Sequence, residues 1–257
     1  MITLGVDIGS ASSKAVIMKN GREVIAEAVV QAGTGTSGQK RVFDEIFSLS
    51  GFSWGDIDYT VATGYGRFSI KEADREISEI TCHGQGIAFL CPSARTVIDI
   101  GGQDAKAISL DERGNIVNFF MNDKCAAGTG RFLENMSRVL EMDIEDMERC
   151  HFLATEPAPV SSTCAVFSES EIISLLSRGV NRNDIVAGVH QSIATKACAL
   201  ASRAGIVDDI VMCGGVARDR GVVDAITKKL GRKVTVAPHP QVTGALGAAL
   251  LAHRTIK

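Results

Sequence analysis

The feature that most constrains the fold is a short pattern that occurs twice in the chain. An apolar strand reaches an Asp, a turn of small residues follows, and a returning strand carries a Lys. The first copy has Asp7 and Lys14, the second has Asp99 and Lys106, and the spacing is the same in both. Each returning strand is followed by a second turn and a third strand. The pattern predicts an internal duplication in which each half opens with three antiparallel strands.

The two turns have the composition of phosphate-binding turns. Small residues allow backbone N–H groups and hydroxyls to point at phosphate oxygens, and a Lys can neutralise them. A strand-terminal carboxylate suits hydrated Mg²⁺, and we assign this role to Asp7 and Asp99. The alternative is a solvated turn with an ordinary Asp. The candidate phosphate-binding residues are Gly9, Ser10, Ser12, Ser13, Lys14, Gly101 and Gly102.

A third glycine-rich turn predicts an adenosine site. The apolar strand Asp209–Cys213 runs directly into Gly214, Gly215 and Val216. Paired glycines between a strand and a helix let the backbone lie against a flat ring, although a plain tight turn would have the same sequence. Gln241 opens a final helix of small residues, which permits close packing on a sheet or a nucleotide.

Two cysteines precede predicted helices. Cys125 is followed by Gly128, Thr129 and Gly130, where a helix N-terminus would favour the thiolate and cradle an anion. Cys164 precedes a second helix, in which Ser168 and Glu171 have the spacing of a capping box. An iron–sulfur cluster needs four ligands, and no CxxC motif supplies more. A two-fold homodimer would supply four thiolates, whereas the alternative is that both are buried free thiols.

The two cysteine segments resemble those of a known family. Asn122–Glu134 and Ser161–Glu171 are similar to the activator (component A) of 2-hydroxyacyl-CoA dehydratases, typified by the (R)-2-hydroxyglutaryl-CoA dehydratase activator and related to the ATPase subunits of benzoyl-CoA reductase. The resemblance extends from Gly5 to Gly247. It implies an ATP-hydrolysing homodimer that shares one [4Fe–4S] cluster between Cys125 and Cys164 of both subunits. It also implies electron transfer to the dehydratase, with reduced ferredoxin or flavodoxin as the electron donor.

The duplication fits the α/β fold of actin, sugar kinases and heat-shock ATPases, in which two similar βββαβα lobes close around ATP or ADP. We expect lobes at 1–90 and 91–257, with the C-terminal helix 241–254 packing back on the first. By resemblance to that fold, Gln103 and Asp104 lie where a water attacking the terminal phosphate is oriented. A fold does not set a function. A small-molecule kinase and a non-redox regulatory ATPase therefore remain alternatives.

Composition excludes several other classes. The formal net charge is −3, so no basic surface of the kind that nucleic acid requires is expected. No apolar run is long enough to span a membrane, and seven scattered cysteines indicate a reducing compartment, so we expect a cytoplasmic protein. Two local predictions complete the analysis: a helix over Ala73–Leu90 and a flexible connection over Gly33–Gly38.

Overall fold

The computed structural model describes residues 1–161 and 163–256. Ser162, within the second cysteine motif, and Lys257 lie outside the described residues. The strands are β1 (Ile2–Ile8), β2 (Ser13–Lys19), β3 (Glu23–Val30), β4 (Tyr59–Thr63), β5 (Arg75–Glu76), β6 (Thr96–Ile100), β7 (Ala105–Leu110), β8 (Ile116–Asn122), β9 (Ile210–Cys213) and β10 (Val234–Val236). The helices are α1 (Gly38–Ser50), α2 (Glu79–Leu90), α3 (Gly130–Val139), α4 (Ile144–Leu153), α5 (Ala165–Ser177), α6 (Arg182–Ala204), α7 (Arg220–Leu230) and α8 (Thr243–Thr255).

The strands form two five-stranded mixed sheets with the same topology. The first has the order β3-β2-β1-β4-β5, and the second has the order β10-β9-β6-β7-β8, which is the same series read from its other edge. In each sheet, the first strand pairs antiparallel with the second and parallel with the fourth. The predicted duplication is confirmed, and so is the α/β fold of the actin and sugar-kinase type.

The chain forms two compact units: unit 1 contains the first sheet, and unit 2 contains most of the second. Unit 1 consists of Met1–Ala94, Leu110–Val117 and Ala237–Lys257, and unit 2 consists of Arg95–Ser109 and Asn118–Val236. Unit 1 is therefore assembled from separated segments of the chain. The C-terminal helix α8 belongs to it.

In unit 1, helices cover the sheet. Helix α1 packs on β2 and β3, whereas α8 packs on β1 and β4 and also contacts α2. Helices α2 and α8 approach closely because Gly247 has no side chain: a Cβ there would overlap the Cys82 carbonyl group. The small residues predicted for the last helix thus serve close packing, which offsets the cost of about 1 kcal/mol per helical glycine.

Unit 2 carries a helical layer that unit 1 lacks. One helix, α1, connects β3 to β4, whereas four helices, α3 to α6, connect β8 to β9. The spine is α6, whose buried residues include Ile185, Val189 and Ile193. Phe132 of α3 and Ile172 of α5 are fully buried in the same core. Both cysteine motifs belong to this additional layer.

The predicted helix over Ala73–Leu90 is wrong in its first six residues. The carboxylate of Asp74 accepts the Thr60 N–H at 2.7 Å, and Arg75–Glu76 pairs with β4 as a short edge strand. The helix begins only after Ser78, whose hydroxyl accepts the Thr81 N–H. Polar contacts with β4 therefore prevail over local helix preference. Among the described residues, no helix is both long and apolar enough to cross a membrane.

Candidate nucleotide and cluster sites

The first candidate turn is built around a buried ion pair in unit 1. Asp7 and Lys14 face each other across β1 and β2, and Lys14 Nζ lies 3.3 Å from Asp7 Oδ2. Only 4% of Asp7 is exposed, and the Lys14 side chain is 16% exposed. A buried carboxylate requires a cation, and Lys14 supplies it.

Unit 2 repeats this arrangement. Asp99 and Lys106 face each other across β6 and β7, with Nζ 3.0 Å from Asp99 Oδ2. Lys106 also pairs with Asp104 at short range, and only 3% of its side chain is exposed. The turn is closed by the Gly101 N–H, which donates to the Asp104 carbonyl at 2.9 Å. Gln103, in contrast, is exposed. The turn thus joins two of the predicted catalytic residues, Asp99 and Asp104, through one Lys.

The duplication extends to the glycine that follows the fourth strand of each half: Gly214 was predicted as an adenosine residue, whereas Gly64 was not assigned to any site. Gly64 follows β4 with φ +84°, and Gly214 follows β9 with φ +86°. A Cβ on Gly64 would overlap Asp7 Oδ1 and lie 2.6 Å from the Ile8 carbonyl oxygen; one on Gly214 would lie 2.6 Å from Asp99 Oδ1 and overlap the Ile100 carbonyl. Both positions need glycine for backbone conformation and for space. The signal in the sequence was a glycine directly after the fourth strand of each half.

The polar groups of the first turn are not all directed at a phosphate. Ser10 and Ser12 are half-buried, but Ser13 is fully buried and its hydroxyl donates to the Ala32 carbonyl at 2.7 Å. This hydroxyl therefore holds the turn, and a phosphate contact at Ser13 stays a prediction. The Gly33–Gly38 loop is also packed rather than a flexible connection. Thr34 N–H donates to the Gly9 carbonyl at 2.9 Å, and Gly33 lies against the backbone of Ser10.

The segment after Cys125 is hydrogen-bonded to the second turn. The N–H groups of Gly130 and Arg131 donate to the carbonyls of Gly101 and Gly102 at 2.9 and 2.8 Å. The Thr129 N–H donates to Ala126. The N–H groups of Thr129 and Gly130, which were predicted to face an anion, are therefore already bonded within the protein. Gly130 and Arg131 support this turn through their bonds, and an anion contact at Gly128, Thr129 or Gly130 stays a prediction.

The two cysteine segments lie in the same helical layer. Cys125 is half-buried in the loop before α3, and Asn122 Nδ2 donates to its carbonyl at 3.0 Å. Cys164 is half-buried and is the N-cap residue of α5. Helices α3 and α5 pack against each other. Each thiol is therefore accessible in part and is held by a defined loop.

The predicted capping box at Ser168 and Glu171 is wrong, because both residues lie inside α5. The Glu171 carboxylate instead accepts the Ser161 N–H at 2.6 Å, and the Ser168 hydroxyl donates to the carbonyls of Ser161 and Cys164 at 2.8 and 2.9 Å. Ser192 of α6 also donates to the Ser161 carbonyl. These bonds hold both ends of the loop that carries Cys164. This role could not be read from local spacing, since it depends on a loop that folds back.

Burial distinguishes most of the remaining five cysteines from Cys125 and Cys164. Cys82, Cys150, Cys198 and Cys213 are buried, and Cys91 is half-buried. Burial raises the pKa of Cys82 to about 12 and that of Cys198 to about 11, and it also raises the pKa of Cys91. A raised pKa disfavours the thiolate that metals require. The interpretation of Cys82 as a core residue is confirmed.

The candidate adenosine residues fall in both units. In unit 2, Gly215–Arg218 forms a 3₁₀ turn after β9, in which Val216 is buried. The Arg220 N–H that opens α7 donates to the Glu148 carboxylate of α4 at 3.1 Å, a contact that the sequence did not indicate. In unit 1, Gln241 is half-buried just before α8.

Comparisons with known proteins give a consistent result. The sequence profile of the BadF/BadG/BcrA/BcrD ATPase family matches residues 4–252. The chain is 61% identical to an activator of lactoyl-CoA dehydratase from Anaerotignum propionicum, over 98% of both chains. It is 48% identical to the (R)-2-hydroxyglutaryl-CoA dehydratase activating ATPase of Acidaminococcus fermentans, over 98% of this chain and 97% of that one.

Solved structures agree with these relatives. The activator of 2-hydroxyisocaproyl-CoA dehydratase from Clostridium difficile, with bound ADPNP, has a TM-score of 0.96 at 47% identity, over 99% of this chain and 95% of that one. A ROK family glucokinase from Streptomyces griseus has a TM-score of 0.59 at 16% identity, over 99% of this chain and 100% of that one. The second likeness concerns the fold alone.

Proposed function

Because the chain belongs to the BadF/BadG/BcrA/BcrD ATPase family, we propose that it is an ATP-dependent activator of a 2-hydroxyacyl-CoA dehydratase. In unit 1, Asp7 and Lys14 serve Mg²⁺ and phosphate; in unit 2, Asp99, Lys106 and Asp104 do so. Two similar relatives are named as activators, and a third is a solved activator with bound ADPNP. The partner is the dehydratase component, and reduced ferredoxin or flavodoxin serves as the electron donor.

We also propose that Cys125 and Cys164 hold a [4Fe–4S] cluster. The donor set fits this group, because two half-buried thiols lie in loops before packed helices, whereas four of the other five cysteines are buried. One chain offers two suitable thiols and the cluster takes four, so a homodimer completes the set. When bound, the cluster supplies a low-potential electron for the dehydratase.

The observation that carries the proposed coupling of ATP to the cluster is the pair of main-chain bonds from Gly130 and Arg131 to Gly101 and Gly102. These bonds join the turn beside Asp99 to the start of α3, and the Cys125 loop precedes α3 directly. A turn that shifts between ATP and ADP therefore pulls on the segment that carries a cluster thiol. Differential contact with the two nucleotides provides the bias that such a change requires.

The ligand assignment is tested by anaerobic purification of Cys125→Ser and Cys164→Ser. Each variant is expected to lose the iron and the brown absorbance of the parent protein, since serine is a poor ligand for iron–sulfur clusters. Cys91→Ser is the matched control, because Cys91 is also a half-buried thiol, and it should retain both. Full iron content in either of the first two variants would refute the assignment.

The same preparation separates the alternatives. A small-molecule kinase or a non-redox regulatory ATPase would contain no iron and would behave alike in all three variants. Nucleotide binding measured with ADPNP should persist in the cysteine variants, because the Asp–Lys pairs are intact. Loss of binding together with iron would indicate misfolding rather than loss of a ligand.

A further inference from the structure

One buried thiol of unit 2 is assigned no role above and yet contacts a residue of the second turn. Cys213 is the last residue of β9 and is fully buried. Its Sγ donates to Asp99 Oδ1 at 3.5 Å, whereas Lys106 Nζ lies 3.0 Å from Asp99 Oδ2. The two oxygens of this carboxylate are thus held by different strands, Oδ1 by β9 and Oδ2 by β7.

The contact follows from the register of the second sheet. Asp99 of β6 pairs with Cys213 of the parallel strand β9, so the two side chains leave the same face of the sheet as neighbours. Asp99 is itself buried. A thiolate beside this carboxylate would place two negative charges together in the interior, so the sulfur keeps its proton and acts as the donor.

The duplicated turn of unit 1 shows that the fold alone does not produce this contact. Thr63 of β4 occupies the same register position beside Asp7. Its hydroxyl, however, donates to the Ile77 carbonyl at 2.9 Å. The side chain at this position therefore serves the carboxylate in unit 2 and the main chain in unit 1.

We propose that Cys213 is a positioning residue that orients Asp99 for Mg²⁺ in the nucleotide complex. A carboxylate that holds a cation is itself oriented by hydrogen bonds from the protein. Lys106 divides its charge between Asp99 and Asp104, so a second bond is needed to fix Asp99. Cys213 supplies that bond from the neighbouring strand. This inference rests on the Mg²⁺ role proposed for Asp99 and adds a residue to it.

A pair of variants with the same shape separates the hydrogen bond from packing. Threonine and valine are both β-branched and suit a strand, but only threonine can donate to Asp99. Isothermal titration of Cys213→Val should show ADPNP binding about fivefold more weakly with Mg²⁺, as for a loss of about 1 kcal/mol, and unchanged binding in EDTA. Cys213→Thr should bind as the parent does. The matched control is Cys198→Val, which removes another buried thiol of unit 2 and should leave both titrations unchanged.

The bond itself is measured by the S–H stretching band of Cys213, taken as the Raman difference between the parent and Cys213→Val. In an Asp99→Asn background this band should move to higher frequency, because a neutral amide accepts a weaker bond than a carboxylate does.

Four outcomes overturn the inference and leave the proposed activity intact. They are an S–H band that Asp99→Asn does not move, equal Mg²⁺-dependent affinity in the parent and Cys213→Val, equal losses with and without Mg²⁺, and a Cys213→Thr variant that binds as weakly as Cys213→Val. The third would mean that Cys213 serves packing alone. If ADPNP affinity of the parent protein does not depend on Mg²⁺, the role proposed for Asp99 fails together with this inference.

Discussion

Replacing Gly214 by alanine tests the packing of the second turn. Gly214 has φ +86° and ψ 173°, a region that is nearly restricted to glycine and costs other residues about 1–3 kcal/mol. An added Cβ would lie 2.6 Å from Asp99 Oδ1 and would overlap the Ile100 carbonyl. Crowding of this kind costs a further 1–3 kcal/mol or so. We therefore expect Gly214→Ala to lower the free energy of unfolding by about 2–6 kcal/mol.

The matched control is Gly231→Ala in the same unit. Gly231 caps α7 in the left-handed conformation with φ +63°, and a Cβ there would have no neighbour within 4 Å. Its substitution should cost only about 1–2 kcal/mol, which is the backbone contribution. Urea unfolding of both variants gives the comparison. If Gly214→Ala loses no more stability than Gly231→Ala, the close approach to Asp99 does not contribute as argued.

The same pair of variants reports on nucleotide binding. Because Asp99 or the end of β6 must move to admit a methyl group at position 214, we expect ADPNP with Mg²⁺ to bind at least about tenfold more weakly, as for a loss of 1.4 kcal/mol. Gly231→Ala should bind as the parent protein does. Isothermal titration at a temperature where both variants are folded makes this measurement. Unchanged affinity in Gly214→Ala would argue against a role for this turn in nucleotide binding.

Three further predictions concern individual side chains. Lys106→Met should destabilise unit 2 by about 3–5 kcal/mol in urea unfolding, because it removes the cation from a buried pair. Lys14→Met should lower the free energy of unfolding by less, since Lys14 is more exposed. Glu171→Gln should lower iron retention during anaerobic gel filtration, as it weakens the 2.6 Å bond from Ser161 N–H; unchanged retention would argue against loop support. Burial raises the pKa of Asp219, but His190 and the N–H groups that start α7 outweigh burial, so the pKa is lowered overall. The ionised carboxylate therefore stabilises the folded protein above the ordinary Asp pKa. This stabilisation is lost as pH falls through the lowered pKa. The stability gap between the parent and Asp219→Asn should therefore shrink on acidification, and a constant gap from pH 7 to pH 3 would contradict the capping role.

The strands that open each half were predictable because they are short, largely apolar runs between turn residues. The repeated Asp and Lys revealed the duplication. The failures share one physical cause, which is that a distant partner prevails over local preference. Asp74 accepts the Thr60 N–H of β4 and stays outside α2. Glu171 accepts the Ser161 N–H from inside α5 and forms no capping box.

The candidate site was predictable in its residue types but not in its contacts. The sequence identified Asp7, Asp99 and both cysteines, because carboxylates after strands and thiols before helices have recognisable patterns. It did not indicate that Ser13 donates to Ala32 or that Gly64 and Gly214 lie against the two Asp residues. These contacts depend on strands that become neighbours only in the folded sheet.

The link between Gly101–Gly102 and Gly130–Arg131 is made entirely of amide groups. Substitutions that preserve the local backbone conformation leave both donors and both acceptors in place, so exchange of neighbouring side chains during divergence would not break it. One of the two bonds could be removed by proline at position 131, which has no N–H, or by replacing one N–H with an ester oxygen through chemical synthesis. In an alignment of relatives, coupling of this kind would therefore show almost no conserved side chains.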